Sequence, residues 1–284
     1  MSVSQNKKAE KFCALHAGPR AFIIPNPWDA GSARILEGLG FEALATTSAG
    51  FAFSLGRRDG EVTREEALAH CRAITDASDL PVAADLENCF GDDPKTVAET
   101  IRLAGSTGIV GGSVEDATSD GKICEHAHAV ERVTAAVEAA RALPFPFTLT
   151  ARAENFLHGR ADLDDTIRRL QAFAAAGADV LYAPGLANLE AIREVCAAVA
   201  PKPVNVLAGM KGANFPLTEL EAAGARRLSV GGALARAALG ALLRAGREMK
   251  EKGTFTFVDE ASPSAEVGAF METRRRKASE RGND

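Results

Sequence analysis

Residues 80–94 read LPVAADLENCFGDDP, and this one stretch holds a complete strand-to-helix step. The run 80–84 is apolar without alternation, the pattern of a short strand buried on both faces. Asp93-Pro94 then offers an N-cap followed by proline at the first helical position, where the missing N–H costs nothing. Between the two, at the C-terminal tip of the strand, stand Asp85 and Glu87. Carboxylates that close repel each other and require protons or a cation to offset the repulsion.

The same step recurs along the chain. Short apolar runs at 21–25, 43–47, 82–85, 112–115, 148–151, 180–183, 204–207 and 227–230 predict eight strands. Helical patterns lie between them at 32–39, 64–78, 94–104, 127–143, 165–176, 189–199 and 217–223, with a long one at 233–251. Thr63-Arg64-Glu65-Glu66 fits a capping box, and the glycines of AAGAD (175–179) and AAGAR (222–226) stand between a helix end and the next strand. Eight βα units predict an α/β protein, a (β/α)8 TIM barrel. A doubly wound open sheet is the alternative, but no GxGxxG follows the first strand. No linker precedes residue 252, so residues 1–252 are read as one barrel domain and 253–284 as a C-terminal extension. That extension carries a turn, EASPSAE (260–266), and a last helix-like piece. It docks either on a neighbouring subunit or on its own barrel.

Composition narrows the function. The 284 residues carry a net charge of -5 with lysine and arginine dispersed, which argues against nucleic acid as a partner. The one basic run, Arg274-Arg275-Arg276-Lys277, reads as a solvated face or tail. Five scattered cysteines without a CxxC indicate a reducing compartment with neither disulfides nor a structural zinc. No leader-like segment opens the sequence, and no run approaches the ~18 apolar residues of a membrane span. A soluble, cytoplasmic protein is expected.

In such barrels the active site lies at the C-terminal ends of the strands. Those ends read NPWDAGS (26–32), TTSAGFAFSLGRRDG (46–60), EDATSDGKICEH (115–126), RAENFLHGR (152–160) and NVLAGMKG (205–212), besides the opening stretch. Four acids can converge there: Asp59, Asp85, Glu87 and Glu115. All are hard oxygen donors, with no histidine or cysteine among them. That favours Mg2+, or Mn2+, held by few direct bonds and several waters. Arg152 suits a bidentate contact to a substrate carboxylate, or an internal ion pair with Glu154 or Glu115. Thr47, Ser48, Ala49 and Gly50 read as a loop whose backbone N–H groups cradle an anion. Asn205, polar within an apolar strand, is a ligand contact or a satisfied core amide.

Four segments together, SAGFAFSLGRRDG (48–60), ADLENCFGDDP (84–94), GGSVEDAT (111–118) and LTARAEN (149–155), resemble the isocitrate lyase/phosphoenolpyruvate mutase superfamily. The likeness runs over about residues 20–235 and points to the branch of methylisocitrate lyases and oxaloacetate decarboxylases. The family's strand-three motif, D-x-D/E-x-G-[FY]-G, stands here as Asp85-Leu86-Glu87-Asn88-Cys89-Phe90-Gly91. The resemblance implies a Mg2+-dependent barrel that binds a 2-oxo acid or its enolate, and a tetramer or dimer that swaps C-terminal helices. It makes Asp85 the direct metal ligand and Asp59, Glu87 and Glu115 the holders of metal-bound waters. It places the backbone of Thr47, Ser48, Ala49 and Gly50 around a carboxylate, with Trp28 and Asp29 flanking the substrate. Arg152 binds the anionic end, and Asp59, Glu115 and Arg152 become the catalytic candidates. The implied chemistry breaks a C–C or C–P bond and leaves a pyruvate-like enolate.

Two departures stand out. Cys89 replaces the usual glycine of the strand-three motif. After strand four, where the lyases carry K-[KR]-C-G-H with a proton-donating cysteine, this chain has Lys122-Ile123-Cys124-Glu125-His126, and a helical pattern begins almost at once. A lid that closes over substrate has no room there, so Cys124 is expected to start a helix rather than act as the acid. His158 is a further acid/base candidate, or a surface histidine. The expected reaction is lyase or decarboxylase cleavage of a small 2-oxo or 2-hydroxy di- or tricarboxylate. A phosphonopyruvate-type mutase or hydrolase, or a barrel that binds a 2-oxo acid without turnover, are the alternatives.

Overall fold

The computed structural model describes residues 3–118, 120–210 and 214–272; the basic run 274–277 and the end of the extension lie outside them. Eight strands form one all-parallel sheet: β1 (Phe22–Ile24), β2 (Leu44–Ala45), β3 (Val82–Asp85), β4 (Gly111–Glu115), β5 (Thr148–Arg152), β6 (Val180–Tyr182), β7 (Val204–Leu207) and β8 (Arg227–Ser229). Their order is β1-β8-β7-β6-β5-β4-β3-β2. The ends meet where Ala45 N donates to Pro25 O at 3.1 Å, so the sheet curls into a nearly closed barrel.

The helices are α1 (Gln5–Ala17), α2 (Ala30–Gly38), α3 (Ser48–Ser54), α4 (Arg64–Ala77), α5 (Pro94–Gly105), α6 (His126–Arg141), α7 (Leu163–Ala175), α8 (Leu189–Ala198), α9 (Leu217–Ala222), α10 (Ala233–Lys252) and α11 (Ser264–Met271), with a 3-10 turn at Thr256–Glu260. The expected start signals operate. Thr63 and Glu66 make the reciprocal capping box of α4, and Asp93 caps α5 ahead of Pro94. Outside the barrel, Leu44, Val82, Val114, Leu149, Leu181 and Leu228 join apolar residues of the helix layer in one continuous core. Beneath the barrel a second cluster gathers Phe12 of α1 with Phe22, Ile24, Ala83 and Val110.

Two elements differ from the expectation. The segment after β2 is not a loop: Thr47 caps the seven-residue helix α3, its Oγ1 accepting from Gly50 N at 3.2 Å. Helix α1 is an addition. The extension folds back so that α11 lies on α2 of the same chain. The Phe270 ring fills the space that the missing side chain of Gly38 leaves open, and Arg34 Nη1 donates to Met271 O at 2.9 Å.

Candidate active site

The strand tips open into one cavity of about 1000 Å³. Alternation along parallel strands turns Asp85, Glu115, Arg152, Tyr182, Asn205 and Ser229 toward it. Arg152 is the hub. Its Nη1 lies 3.1 Å from Asp85 Oδ1 and 2.9 Å from Glu115 Oε1, its Nε donates to Glu154 Oε1 at 2.6 Å, and its Cζ stands 5.0 Å from the centre of the Tyr182 ring. The internal ion pair is therefore formed, with both acids named from sequence and with Asp85 as well. These contacts use Nη1 and Nε and not Nη2. Burial works against this guanidinium's charge, but Glu115, Glu154 and Asp85 outweigh it and hold Arg152 well above its usual value.

Arg152 pairs with three acids and, among the described residues, leaves two more without an ion pair. Asp59 and Glu87 line the same cavity as Asp85, Glu115 and Glu154. Burial, reinforced by the Asp85 and Asp59 charges, pushes the Glu87 carboxyl up to about 7. Burial raises Asp59 too, with Asp85 adding to it, and raises Glu115 well above the carboxylate range despite Arg152. This surplus of hard oxygen donors fits a further cation. Among the described residues no three acids, histidines or cysteines converge as direct ligands of one ion.

The loop after β3 is strained. Glu87, Cys89 and Phe90 take positive φ of 51°, 62° and 59°, a region that costs a non-glycine residue about 1–2 kcal/mol. Cys89 thus occupies a left-handed position where the related motif has glycine, and its side chain is buried. Arg132 of α6 ties this loop down: Nη2 donates to Asn88 O at 2.6 Å and Gly91 O at 3.3 Å, while Nη1 donates to Glu115 O at 2.9 Å. Behind the site, Glu154 N donates to Asp116 Oδ1 at 2.8 Å, and Asp116 pairs with buried Arg169 at 3.1 Å.

The other expected residues divide. Thr47, Ser48 and Ala49 line the cavity; Gly50, Trp28 and Asp29 do not. Ser48 N already donates to Asp85 Oδ2 at 3.2 Å, so part of the expected anion cradle serves a carboxylate of the chain itself. Asp29 caps α2 with Oδ1 on Ser32 N at 2.7 Å, and Trp28 packs where a side chain on Gly50 would go. Asn205 lines the cavity and is also satisfied, donating to Ser229 Oγ at 2.9 Å and accepting from Arg227 Nε at 2.8 Å. His158 lines the cavity rim, with Nδ1 2.6 Å from Gly121 O.

Cys124 is buried outside the cavity lining, its Sγ 3.3 Å from Arg132 Nη1, one residue pair before α6. The connection it belongs to is pinned as a small hairpin by the Ala117–Ile123 bridge. Burial raises its thiol above the usual value. Replacing Cys124 with serine is expected to leave turnover within about twofold, because the change touches packing and not the reacting groups. A steady-state assay checks this, and a loss of several hundredfold would return the thiol to the mechanism.

The chain is similar to several known proteins. A family model described as phosphoenolpyruvate phosphomutase matches residues 12–250. A crystal structure of a candidate lyase/mutase from Burkholderia cenocepacia J2315 is 59% identical, covers 95% of this chain and 97% of its own, and superposes with a TM-score of 0.92. An uncharacterised protein of Mycobacterium tuberculosis (strain ATCC 25618 / H37Rv) is 29% identical over 84% of this chain and 89% of its own. The 2,3-dimethylmalate lyase of Eubacterium barkeri is 29% identical over 76% of this chain and 77% of that enzyme.

Proposed function

The chain belongs to the phosphoenolpyruvate phosphomutase family, within the isocitrate lyase/phosphoenolpyruvate mutase superfamily, and from that premise we propose that it is a Mg2+-dependent lyase or decarboxylase. Its substrate is a small 2-oxo or 2-hydroxy di- or tricarboxylate, cleaved at a C–C bond to leave an enolate. The observation that carries the reading is the crowding of five carboxylates, Asp59, Asp85, Glu87, Glu115 and Glu154, in one cavity, three of them held by the Arg152 guanidinium. Asp85 would hold the metal directly, and Asp59, Glu87 and Glu115 through waters. Bound Mg2+, or Mn2+, would stabilise the charge that develops on the enolate oxygen. Arg152, locked by three acids and the Tyr182 ring, keeps one nitrogen for a substrate carboxylate without having to be ordered on binding. The hairpin that replaces a lid favours decarboxylation, which asks less of a lid-borne acid.

We take the working form to be a cytoplasmic homo-oligomer, a dimer or tetramer. Leu239, Leu242 and Leu243 of α10 and Phe255 beyond it are exposed, and such a face supports association. Among the described residues no helix is long and apolar enough to cross a membrane.

The test is proton and phosphorus NMR of the protein with Mg2+ and oxaloacetate, methylisocitrate, isocitrate, dimethylmalate and phosphonopyruvate. Pyruvate, glyoxylate or succinate growing in is the expected result. Phosphate or phosphoenolpyruvate would move the reading to C–P chemistry, and a silent panel with retained metal binding would favour a binding protein.

A pH dependence follows from the crowded acids. Folded Glu87 keeps its proton to about 7, against 4.5 for an ordinary glutamate. Between those values the folded chain binds more protons than the unfolded one, so stability falls as pH rises. Asp59 and Glu115 act in the same direction. The melting temperature of chelator-treated protein is expected to drop across that window, and the stabilisation by added Mg2+ to grow across it. A flat profile in chelator would contradict the cluster's electrostatics.

A further inference from the structure

Arg227, the first residue of β8, is buried on the floor of the same cavity and faces no carboxylate among the described residues. Its three nitrogens meet neutral groups. Nε donates to Asn205 Oδ1 at 2.8 Å, Nη2 to Thr150 Oγ1 at 3.0 Å, and Nη1 lies 3.4 Å from His16 Nε2. His16 offers no counter-charge, because an imidazole is neutral or cationic, and burial and then Arg227 depress it to about 3, which keeps it neutral. The contrast with its neighbours is instructive. Arg152 and Arg169 each hold two or more carboxylates, and Arg132, which has none, clamps main-chain carbonyls away from the cavity. Arg227 alone of the four lines open space with its charge unmatched. Removing one partner of a buried ion pair is costly because the other charge stays uncompensated. A guanidinium kept in that state is accounted for when a ligand brings the missing charge.

We infer that Arg227 forms a second anion subsite on the cavity floor, which takes the distal carboxylate of a 2-oxo dicarboxylate whose reacting end lies at Asp85 and Arg152. The inference rests on the 2-oxo acid reading of the mouth and adds which acids fit. The Thr150 hydroxyl touches Arg227, Ser229 Oγ accepts from the same Asn205 that Arg227 engages, and both residues line the cavity, so a carboxylate there has a neutral donor as well as the guanidinium. Tyr182, in contact with Arg152, also hydrogen-bonds Ser229 of the strand that carries Arg227, which links the two ends of the cavity. A dicarboxylate anchored at Arg152 would bring its second carboxylate to Arg227, whereas a monocarboxylate would engage the mouth alone. Burial, with the Arg152 charge adding to it, lowers the Arg227 guanidinium to about 10, and a bound carboxylate would reverse that depression.

The test is calorimetric titration of the full chain with Mg2+, using pyruvate and 3,3-difluorooxaloacetate, a 2-oxo dicarboxylate that resists decarboxylation. The native protein is expected to favour the dicarboxylate. Arg227→Met is expected to weaken it by about 30-fold, the scale for truncating one side of a buried charge pair, and to leave pyruvate within about twofold. Thr150→Val, which retains the guanidinium and the fold, should weaken the dicarboxylate alone by about fivefold. An unchanged ratio of the two affinities in both variants overturns the proposal, and so does an equal loss of both probes, which marks a structural arginine. Asp85→Asn separates the two readings: if it leaves the affinity for both probes unchanged, the assignment of the mouth fails, whatever Arg227 does.

Discussion

Asp85→Asn is expected to lower turnover by about a thousandfold, the scale seen when a preorganised electrostatic group is removed from a charge-developing site. Asparagine keeps the shape and can still accept from Ser48 N, which reaches Asp85 Oδ2 at 3.2 Å. What it lacks is the negative charge that would bind a divalent ion directly. Mg2+ affinity, read by titration calorimetry, should fall together with turnover. Stability should behave differently. Asp85 raises the carboxyls of Asp59, Glu87 and Glu115 by repulsion, so without metal its neutralisation relieves a crowd of acids. Arg152 retains Glu115 at 2.9 Å and Glu154 at 2.6 Å. The melting temperature in chelator should therefore hold or rise while activity collapses. Unchanged Mg2+ affinity would remove Asp85 from the metal site, and a melting temperature many degrees lower would make it a structural residue.

That split between function and stability explains why so much of the site was legible from residue order. Strands buried on both faces, by helices outside and by the barrel interior within, read as apolar runs, and the eight runs lie within a residue or two of the observed strands. Polar residues at the tips of such runs stand against the burial pattern, so Asp85, Glu115 and Arg152 showed themselves. Helix α1 did not, because QNKKAEKFCALHA buries only Lys8, Ala9 and Phe12 and carries no clear stripe. Helix α3 did not, because SAGFAFS is short and contains glycine. Arg227 was hidden beside Arg226: two arginines in a row look like one exposed pair until strand alternation turns one of them inward. The proposed metal site is not decided by a compact ligand motif, because long-range pairing sets which acids meet.

Arg132 was concealed in a different way, and its replacement carries the largest expected loss of stability. In α6 the buried positions are Ala129, Arg132, Val133, Ala136 and Ala140, so the arginine lies on the apolar stripe itself. Its head group reaches five acceptors: the carbonyls of Asn88 and Gly91 after β3, those of Glu115 and Ala117 at and after β4, and Cys124 Sγ. Alanine there would leave those acceptors without their donor and would open a cavity where one of the largest fully buried side chains stood. The expected cost is about 3–5 kcal/mol, or roughly 10 °C in melting temperature for a chain of this size. The loss should not stay local. The loop that Arg132 holds includes Glu87, Cys89 and Phe90 at positive φ, and a strained backbone persists only while its surroundings over-determine it. Freed of the clamp, this loop should relax and carry Glu87 from its place beside Asp85, so Mg2+ affinity should fall with stability. Lysine recovers only part of either, because a single ammonium cannot span two loops as a planar fork does. Melts of the alanine and lysine variants, with and without Mg2+, check the order wild type, lysine, alanine. A melting temperature within about 2 °C of wild type for the alanine variant, well below the shift from even one such buried loss, would mean that the two loops hold each other without the arginine.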